Sequence, residues 1–298
     1  MATNHAQAPP APAPGTFKAA RLRAYNTQEL MDGPAPNEFM LLAGKDGCGK
    51  SSALVAFASY VEMVLNPDAT FFVLDLENKF RSAMRSFGSD APENIVYIPL
   101  ADINEATNGL QQVLADAKPG DWLAVESAAR LWERAQDMGY QAITGVNKFA
   151  YLEKRRAWGL ANPTAKPLPV TPSPDDLWTL IKGAHDGSFM DVLASQPVRE
   201  TINIAMTTTV GRPAEDRPGR KESAERKEVR AESGLDLNLG GAPRLPYFFE
   251  TTMVIGLKKG KGECQIVRDN LSKLEEPRLT FTVPDRKSWG AVFYENCR

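Results

Sequence analysis

Short apolar runs alternate with longer helix-like stretches from Glu38 onward. The runs are apolar almost without interruption, which is typical of strands buried on both faces of a sheet. Five core strands are predicted, over residues 39–43, 70–74, 95–98, 122–125 and 202–206. Helices are predicted between them, among others over residues 51–65 and 104–117. Strands alternating with helices of this length indicate βαβ units, a mostly parallel central sheet and helices on both of its faces.

The hydrophobic pattern changes over the last fifty residues. Strand-like segments at residues 252–257, 263–268, 278–283 and 291–294 follow one another with short turns between them. Such spacing predicts antiparallel pairing, so this part of the chain extends the same sheet. The predicted fold class is therefore α/β, with a mostly parallel central sheet and an antiparallel C-terminal extension.

The 298 residues fit one large domain or two small ones. We expect a flexible Ala/Pro-rich tail over residues 1–36 and one core over residues 37–298, because the tail can bury almost nothing. Two long irregular insertions are predicted within the core, at about residues 139–175 and 211–246. No apolar run reaches the roughly 18–20 residues of a membrane span, so no membrane partner is expected.

Charge and cysteine content narrow the function classes. The formal net charge of −2 excludes a protein that coats nucleic acid by bulk positive charge, so any DNA contact must be local. The three cysteines are far apart and form no CxxC pair, which argues against a structural zinc site. The expected location is a reducing cytoplasm.

Residues 44–51 match the pattern G-x-x-x-x-G-K-[ST] at every fixed position, after an apolar strand and before a helix. Glycines let backbone N–H groups surround a phosphate chain, Lys50 reaches the β- and γ-phosphate oxygens, and the Ser51 hydroxyl binds Mg²⁺. The cofactors expected are ATP and Mg²⁺. The residues expected to bind them are Gly44, Lys45, Asp46, Gly47, Cys48, Gly49, Lys50, Ser51 and Ser52.

Two residues of this loop have alternative interpretations. Cys48 is either a redox-sensitive thiol or simply a small residue at a tolerant position. Lys45 resembles the lysine of partitioning-type ATPases, whose loop reads GKGGxGK[ST], but Asp46 stands where they carry glycine.

The second motif, Asp75-Leu76-Glu77-Asn78-Lys79-Phe80-Arg81, resembles the RecA/Rad51 recombinase family. In that family the glutamate at the position of Glu77 activates the attacking water. A carboxylate at the end of a strand expected to lie beside the phosphate-loop strand can reach a water in line with the γ-phosphate. The alternative is an acidic residue that stabilises the start of a helix.

The fourth strand ends in Val125-Glu126-Ser127, where RecA-like proteins have an apolar run followed by D-S. The resemblance implies that Glu126 holds Mg²⁺ together with Ser51, although a glutamate replaces the family's aspartate. The extra methylene shifts the carboxylate and predicts slow hydrolysis. The alternative is a buried carboxylate satisfied by backbone amides.

The family also implies a polar sensor at the end of the next core strand, and Thr207 or Thr208 has that position here. Threonine runs are also good strand formers. A basic residue of the antiparallel C-terminal extension is expected to reach a neighbouring subunit's ATP, or else to belong to a solvated hairpin. The candidates are Lys258, Lys261 and Arg268.

Two segments are candidates for DNA contact. The first insertion interleaves four aromatic with four basic residues: Tyr140, Lys148, Phe149, Tyr151, Lys154, Arg155, Arg156 and Trp158. That mixture suits single-strand binding, but a helix packing its aromatics inward explains it equally well. The second insertion has seven basic against six acidic residues over 212–232. These charges nearly cancel, so the segment would attract DNA only weakly.

The sequence thus resembles RecA-like P-loop ATPases, most closely the phage-encoded ones that assist single-strand annealing and recombination. This resemblance implies a slow, DNA-stimulated ATPase that binds single-stranded DNA as a homo-oligomer, with Lys50 and Glu77 in catalysis. Two alternatives remain. One is a partitioning-type or scaffold ATPase with a protein partner, and the other is a nucleotide-binding assembly protein with little hydrolysis.

Overall fold

A computed structural model describes residues 37–164, 168, 171–211, 238–242, 245–258, 261–269, 279–283 and 288. Contacts between residues divide the chain into Met1–Ala35 and Pro36–Arg298, and the described residues all belong to the second unit. The predicted tail over residues 1–36, the charged block over 212–232 and the predicted strand over 291–294 lie outside the described residues.

Strands and helices alternate through most of the described chain. The strands are β1 (Phe39–Gly44), β2 (Phe71–Asp75), β3 (Ile95–Pro99), β4 (Trp122–Glu126), β5 (Asn203–Gly211), β6 (Asn238–Leu239), β7 (Thr251–Lys258), β8 (Lys261–Asp269) and β9 (Leu279–Val283). The α-helices are α1 (Lys50–Tyr60), α2 (Phe80–Phe87), α3 (Ile103–Asp116), α4 (Ala128–Thr144), α5 (Lys148–Ala161), α6 (Pro174–Lys182), α7 (Asp191–Leu193) and α8 (Gln196–Thr201). Two π-helical segments, Val61–Leu65 and Gly183–Met190, continue α1 and α6.

The sheet has the order β3-β2-β4-β5-β1-β7-β8-β9, and β6 pairs with the end of β5. All pairs from β3 to β7 in this order are parallel, whereas β7–β8 and β8–β9 are antiparallel. The predicted fold class, with its mostly parallel sheet and antiparallel C-terminal extension, is confirmed.

Helices cover both faces of the sheet. One apolar core joins α1 and α2 to alternate residues of the strands, such as Leu42 and Val73. The other core lies on the opposite face and joins α3, α4 and the segment Gly183–Met190 to residues such as Leu41 and Leu74. Every residue of β1, β2 and β4 is buried, because these strands are covered on both faces.

The strand order corrects one expectation about the site. Glu77 was expected at the end of a strand beside the phosphate-loop strand, but β4 and β5 separate β2 from β1. Strand order follows from how the helices pack on the sheet and cannot be read from local sequence pattern. The neighbour of β2 is instead β4, and Asp75 lies opposite Glu126 in that pair.

The first insertion was predicted to be irregular, but most of it is helical. Residues 139–175 include the end of α4 and the whole of α5. Asn147 begins α5, since its side-chain oxygen accepts a hydrogen bond of 2.9 Å from the backbone N–H of Ala150. The dense charges of this stretch obscured its helical period, because only Tyr151 of α5 is buried.

None of the helices in the described ranges combines the length and apolar character that crossing a membrane would require.

Candidate functional site

Three glycines, Gly44, Gly47 and Gly49, determine the course of the loop between β1 and α1. Gly47 and Gly49 have φ angles of 77° and 96°, in the left-handed region that favours glycine. A Cβ atom on Gly44 would lie 2.5 Å from the Cys48 sulfur and 2.7 Å from the Ile255 carbonyl oxygen. The loop therefore turns tightly over the end of β1, and side chains are excluded where the backbone approaches it.

The start of α1 is open to an anion. Gly49 supplies no capping side chain, and the first turn of α1 carries no acidic residue. The first N–H groups of a helix have no intrahelical acceptor, and the helix dipole adds positive potential at this end. A phosphate group suits such a position.

Lys50 is buried, and within the described part of the chain its ammonium is held by backbone carbonyl oxygens rather than by a carboxylate. Its Nζ atom donates to the carbonyl oxygens of Gly44 and Lys45 at 3.0 and 3.1 Å. Both acceptors are neutral, so the charge is available to phosphate oxygens. Lys45 and Asp46 are themselves exposed on the loop.

Glu126, at the end of β4, is the most deeply buried of the carboxylates that line the site, with 2% of its surface exposed. Its Oε1 atom accepts a hydrogen bond of 2.7 Å from the Ser51 hydroxyl, and its Oε2 atom has no partner among the described residues. Burial, with the nearby charges of Asp75 and Glu77, raises the pKa of Glu126 to about 7.

These oxygens fit a magnesium ion. An unpartnered buried carboxylate oxygen is costly unless something pairs with it. Mg²⁺ prefers oxygen ligands and is commonly held by one or two carboxylates together with substrate phosphates. The Ser51 hydroxyl and the free Oε2 of Glu126 supply such donors beside the phosphate loop.

Asp75 organises the turn that follows β2. Its Oδ1 atom accepts from the backbone N–H groups of Glu77 and Asn78 at 2.8 Å, and Oδ2 accepts from that of Phe80 at 3.0 Å. The Tyr97 hydroxyl also donates to Oδ2 at 3.2 Å. Asp75 is fully buried, so the first carboxylate of the D-x-E motif shapes the backbone while the second faces the site.

Glu77 is held by three side chains. Its Oε1 atom accepts a hydrogen bond of 2.7 Å from the Ser127 hydroxyl, and Lys79 Nζ lies 2.6 Å from Oε2. Arg130 is 4.0 Å from Oε1. Burial alone would raise the pKa of Glu77, but the hydrogen bonds from Lys79 and Ser127 and the charges of Lys79 and Arg130 lower it below its ordinary value. Glu77 is thus a carboxylate that stays ionised.

These groups line one cavity of about 310 Å³. One wall comes from the loop and the start of α1, and the other from the turn before α2 and from α2 itself. The lining residues are Asp46, Gly47, Gly49, Lys50, Ser51, Ser52, Glu77, Lys79, Ser82, Ala83, Ser86 and Glu126. The structure therefore brings the phosphate loop, Glu77 and Glu126 together, although their motifs are far apart in sequence.

Thr207 and Thr208, the sensor candidates on β5, do not belong to the described lining of this cavity. Thr208 donates a hydrogen bond of 2.8 Å to the Gly240 carbonyl oxygen, which ties β5 to the segment around β6. Thr207 is fully buried, and its hydroxyl has no partner among the residues that the structure describes.

Cys48 packs inward from the loop and is 7% exposed. Burial raises the pKa of its thiol above the ordinary value, against the opposing charge of Lys50. A buried thiol with a raised pKa is unreactive, which favours the interpretation of Cys48 as a small apolar residue of the loop.

Sequence reasoning assigned no role to Lys79 or Ser127. Both occur inside the quoted motifs, and Lys79 is two residues from Glu77. Nothing in a linear pattern shows that the two side chains converge on the same carboxylate, because that depends on β2 and β4 being neighbours.

The aromatic residues of α4 and α5 divide into two sets. Tyr151 is buried and its ring packs against that of Tyr140, with centroids 5.2 Å apart. Phe149 is 68% exposed and Trp158 36% exposed. The inward-packing alternative therefore holds for the two tyrosines, while Phe149 is exposed, as are Lys154, Arg155 and Arg156 further along α5.

No family model matches the sequence, and no curated protein matches it either. Among solved structures, the chain is similar to a KaiC-like protein from the hyperthermophilic archaeon Pyrococcus horikoshii. The TM-score is 0.41 at 11% sequence identity, over 84% of this chain and 87% of that chain. A likeness of this degree carries no information about what the present chain binds.

Proposed function

We propose that this chain is a RecA-like P-loop ATPase that binds Mg-ATP, hydrolyses it slowly, and acts on single-stranded DNA as a homo-oligomer in recombination, repair or replication. The observation that carries the nucleotide part is one cavity in which the phosphate loop, the Ser51–Glu126 pair and Glu77 meet. The DNA part rests on the sequence resemblance and on the surface of α5.

Binding of the triphosphate begins at the loop. The first-turn N–H groups of α1 and the loop amides would receive the phosphate oxygens, with Gly47 and Gly49 permitting the required backbone. Lys50 would exchange its two carbonyl acceptors for β- and γ-phosphate oxygens. That exchange replaces neutral acceptors by charged ones and so strengthens its hydrogen bonds.

Ser51 and Glu126 would hold the magnesium ion, which when bound neutralises charge on the phosphate oxygens. The Ser51 hydroxyl, whose hydrogen is donated to Glu126, would direct an oxygen lone pair at the cation. Glu126 would bind as the carboxylate, since a nearby dication favours the ionised form. A glutamate where the RecA-like family has aspartate is the reason to expect slow turnover.

Glu77 would orient the attacking water. It lines the cavity and is ionised, which are the two properties that this role needs. The water oxygen attacks the γ-phosphorus, the bond to the β,γ-bridging oxygen breaks, and ADP and phosphate leave.

Of the two sensor candidates on β5, Thr207 and Thr208, Thr207 is the better candidate for coupling this site to a partner surface. Its hydroxyl is buried and unpartnered among the described residues, whereas that of Thr208 is bonded to Gly240.

The exposed surface of α5 is the structural support for the proposed binding of single-stranded DNA. Phe149 offers a stacking face, and Lys154, Arg155 and Arg156 offer partners for phosphates. With a net charge of −2 for the whole chain, contact with DNA would have to be confined to such a local patch.

Phosphate release from ATP and Mg²⁺, with and without single-stranded DNA, tests the proposal. We expect slow release by the parent protein, stimulation by DNA, and loss of release in Glu77→Gln. Lys50→Ala should abolish nucleotide-dependent stabilisation against heat. Equal release by Glu77→Gln and the parent would overturn the role of Glu77, and ATP binding without any release would favour the assembly protein instead.

DNA binding needs a separate measurement. Phe149 and Arg156 are seven residues apart on α5 and so share one face of the helix. The double variant Phe149→Ala/Arg156→Gln should weaken binding of an oligothymidylate by about tenfold, from lost stacking and one lost phosphate contact. Lys118→Met, at an exposed position before β4, is the matched control. Undiminished binding by the double variant, or ATP-driven dimerisation with no effect of DNA, would favour a protein partner.

A further inference from the structure

Lys79 is a second cation in the nucleotide cavity. It immediately precedes α2, and its side chain lines the same cavity as Lys50 and Ser51. Lys50 belongs to the loop wall, whereas Lys79 comes from the opposite wall formed by residues 77–86. Within the described lining, these two lysines are the cations, so a bound phosphate chain would lie between them.

The partner of Lys79 in this structure is Glu77. Its Nζ atom lies 2.6 Å from Oε2 of Glu77, and the lysine side chain is 55% exposed while that of Glu77 is 7% exposed. An ion pair with one exposed partner is weak, because water screens it and a long side chain must be held in place. The ammonium of lysine is a compact charge on a flexible stem and can move to a stronger acceptor.

Both oxygens of Glu77 are occupied in this state. Oε1 accepts from the Ser127 hydroxyl, and Oε2 is paired with Lys79. Each carboxylate oxygen keeps a second lone pair, but an ammonium paired with Oε2 neutralises charge there and makes Glu77 a weaker acceptor for water. Of the two partners, Ser127 follows β4 directly and is fully buried, so the exposed lysine is the one that can leave.

We propose that Lys79 senses the terminal phosphate: it pairs with Glu77 when that phosphate is absent and transfers to it when a nucleoside triphosphate binds. The transfer gives the γ-phosphate a second cation and frees Oε2 of Glu77 for the attacking water. This inference rests on the proposed nucleotide site. It makes Lys79 a residue that distinguishes triphosphate from diphosphate.

The test compares two ligands on the full chain, each with Mg²⁺: the β,γ-imido analogue of ATP and ADP. Lys79→Met should lower affinity for the triphosphate analogue by about tenfold, the effect of losing one charge-assisted hydrogen bond, and change affinity for ADP by less than about twofold. Lys79→Arg should retain most of the discrimination, since it keeps the charge. Lys118→Met, at an exposed position at the other end of β4, should match the parent. Equal losses for both ligands in Lys79→Met, or no loss for either, would overturn the proposal.

A second variant separates sensing from a merely structural role. Glu77→Gln removes the resting partner of Lys79, so triphosphate affinity should rise a few-fold in that variant. In the Lys79→Met background the same change should have no effect on triphosphate affinity. An equal effect in both backgrounds contradicts the transfer of Lys79. If the parent binds neither ligand, the nucleotide site itself fails, which is a different result from equal affinities in the parent and Lys79→Met.

Discussion

Glu126 makes the unliganded protein less stable as the pH rises. The pKa of this carboxyl is about 7 in the folded protein, against an ordinary value of 4.5, chiefly because of burial. Between these two pH values the folded state binds a proton more tightly than the unfolded state does, so stability falls as the pH rises through this window. Above pH 7 the loss is complete. At about 1.4 kcal/mol for each tenfold change in affinity, it amounts to about 3 kcal/mol.

Glu126→Gln isolates this effect, since the amide has the shape of the protonated acid and its oxygen can still accept from Ser51. We expect the variant to match the parent near pH 4.5 and to exceed it by about 3 kcal/mol at pH 8. The measurement is urea unfolding from pH 4.5 to 8.5 in the presence of a chelator. Glu93→Gln, which changes an exposed glutamate, is the control.

Two results would refute this reasoning. If the stabilities of Glu126→Gln and the parent run parallel across this pH range, the carboxyl is not protonated preferentially in the folded state. If Glu126→Gln is the less stable protein at pH 8, the carboxylate has a partner that stabilises its charge. Added Mg²⁺ gives an independent check: it should stabilise the parent at pH 8 and have little effect on the variant.

Three further substitutions probe the framework of the site, each measured by urea unfolding. Gly44→Ala should cost about 2 kcal/mol and weaken nucleotide binding, because the new methyl group would meet the sulfur of Cys48 at 2.5 Å. Asp75→Asn should cost about 3 kcal/mol, since the amide loses the charge that accepts three backbone N–H groups, and it should slow phosphate release by displacing the turn. Thr208→Val should cost about 1 kcal/mol, from the lost bond to Gly240, without changing nucleotide affinity. A Thr208→Val variant with normal stability and altered nucleotide affinity would return this residue to the sensor role.

The sequence was informative wherever local pattern determines structure. Uninterrupted apolar runs predicted β1 to β5, and in β1, β2 and β4 these runs reflect burial on both faces of the sheet. Strand β3, at one end of the strand order, is apolar in sequence but only partly buried. The glycine pattern predicted the loop because left-handed φ angles at Gly47 and Gly49 are a property of the local chain. Helix α5 was predicted only as one of two alternatives, because it is exposed nearly all round and carries no apolar stripe that would mark a helix.

The arrangement of the site depends on the order of the strands in the sheet, which the local sequence pattern does not reveal. Ser51, in the first turn of α1, reaches Glu126 at the end of β4, although β5 lies between β4 and the strand β1 that precedes the phosphate loop. This reach is possible because α1 crosses β5 and contacts it as well as β1, and the β5 residue in the core beneath α1 is the small Ala205. A bulky side chain at Ala205 would push α1 away from the sheet and so disturb the hydrogen bond between the Ser51 hydroxyl and Glu126. The geometry of the Ser51–Glu126 pair thus depends on a residue that carries no chemistry of its own.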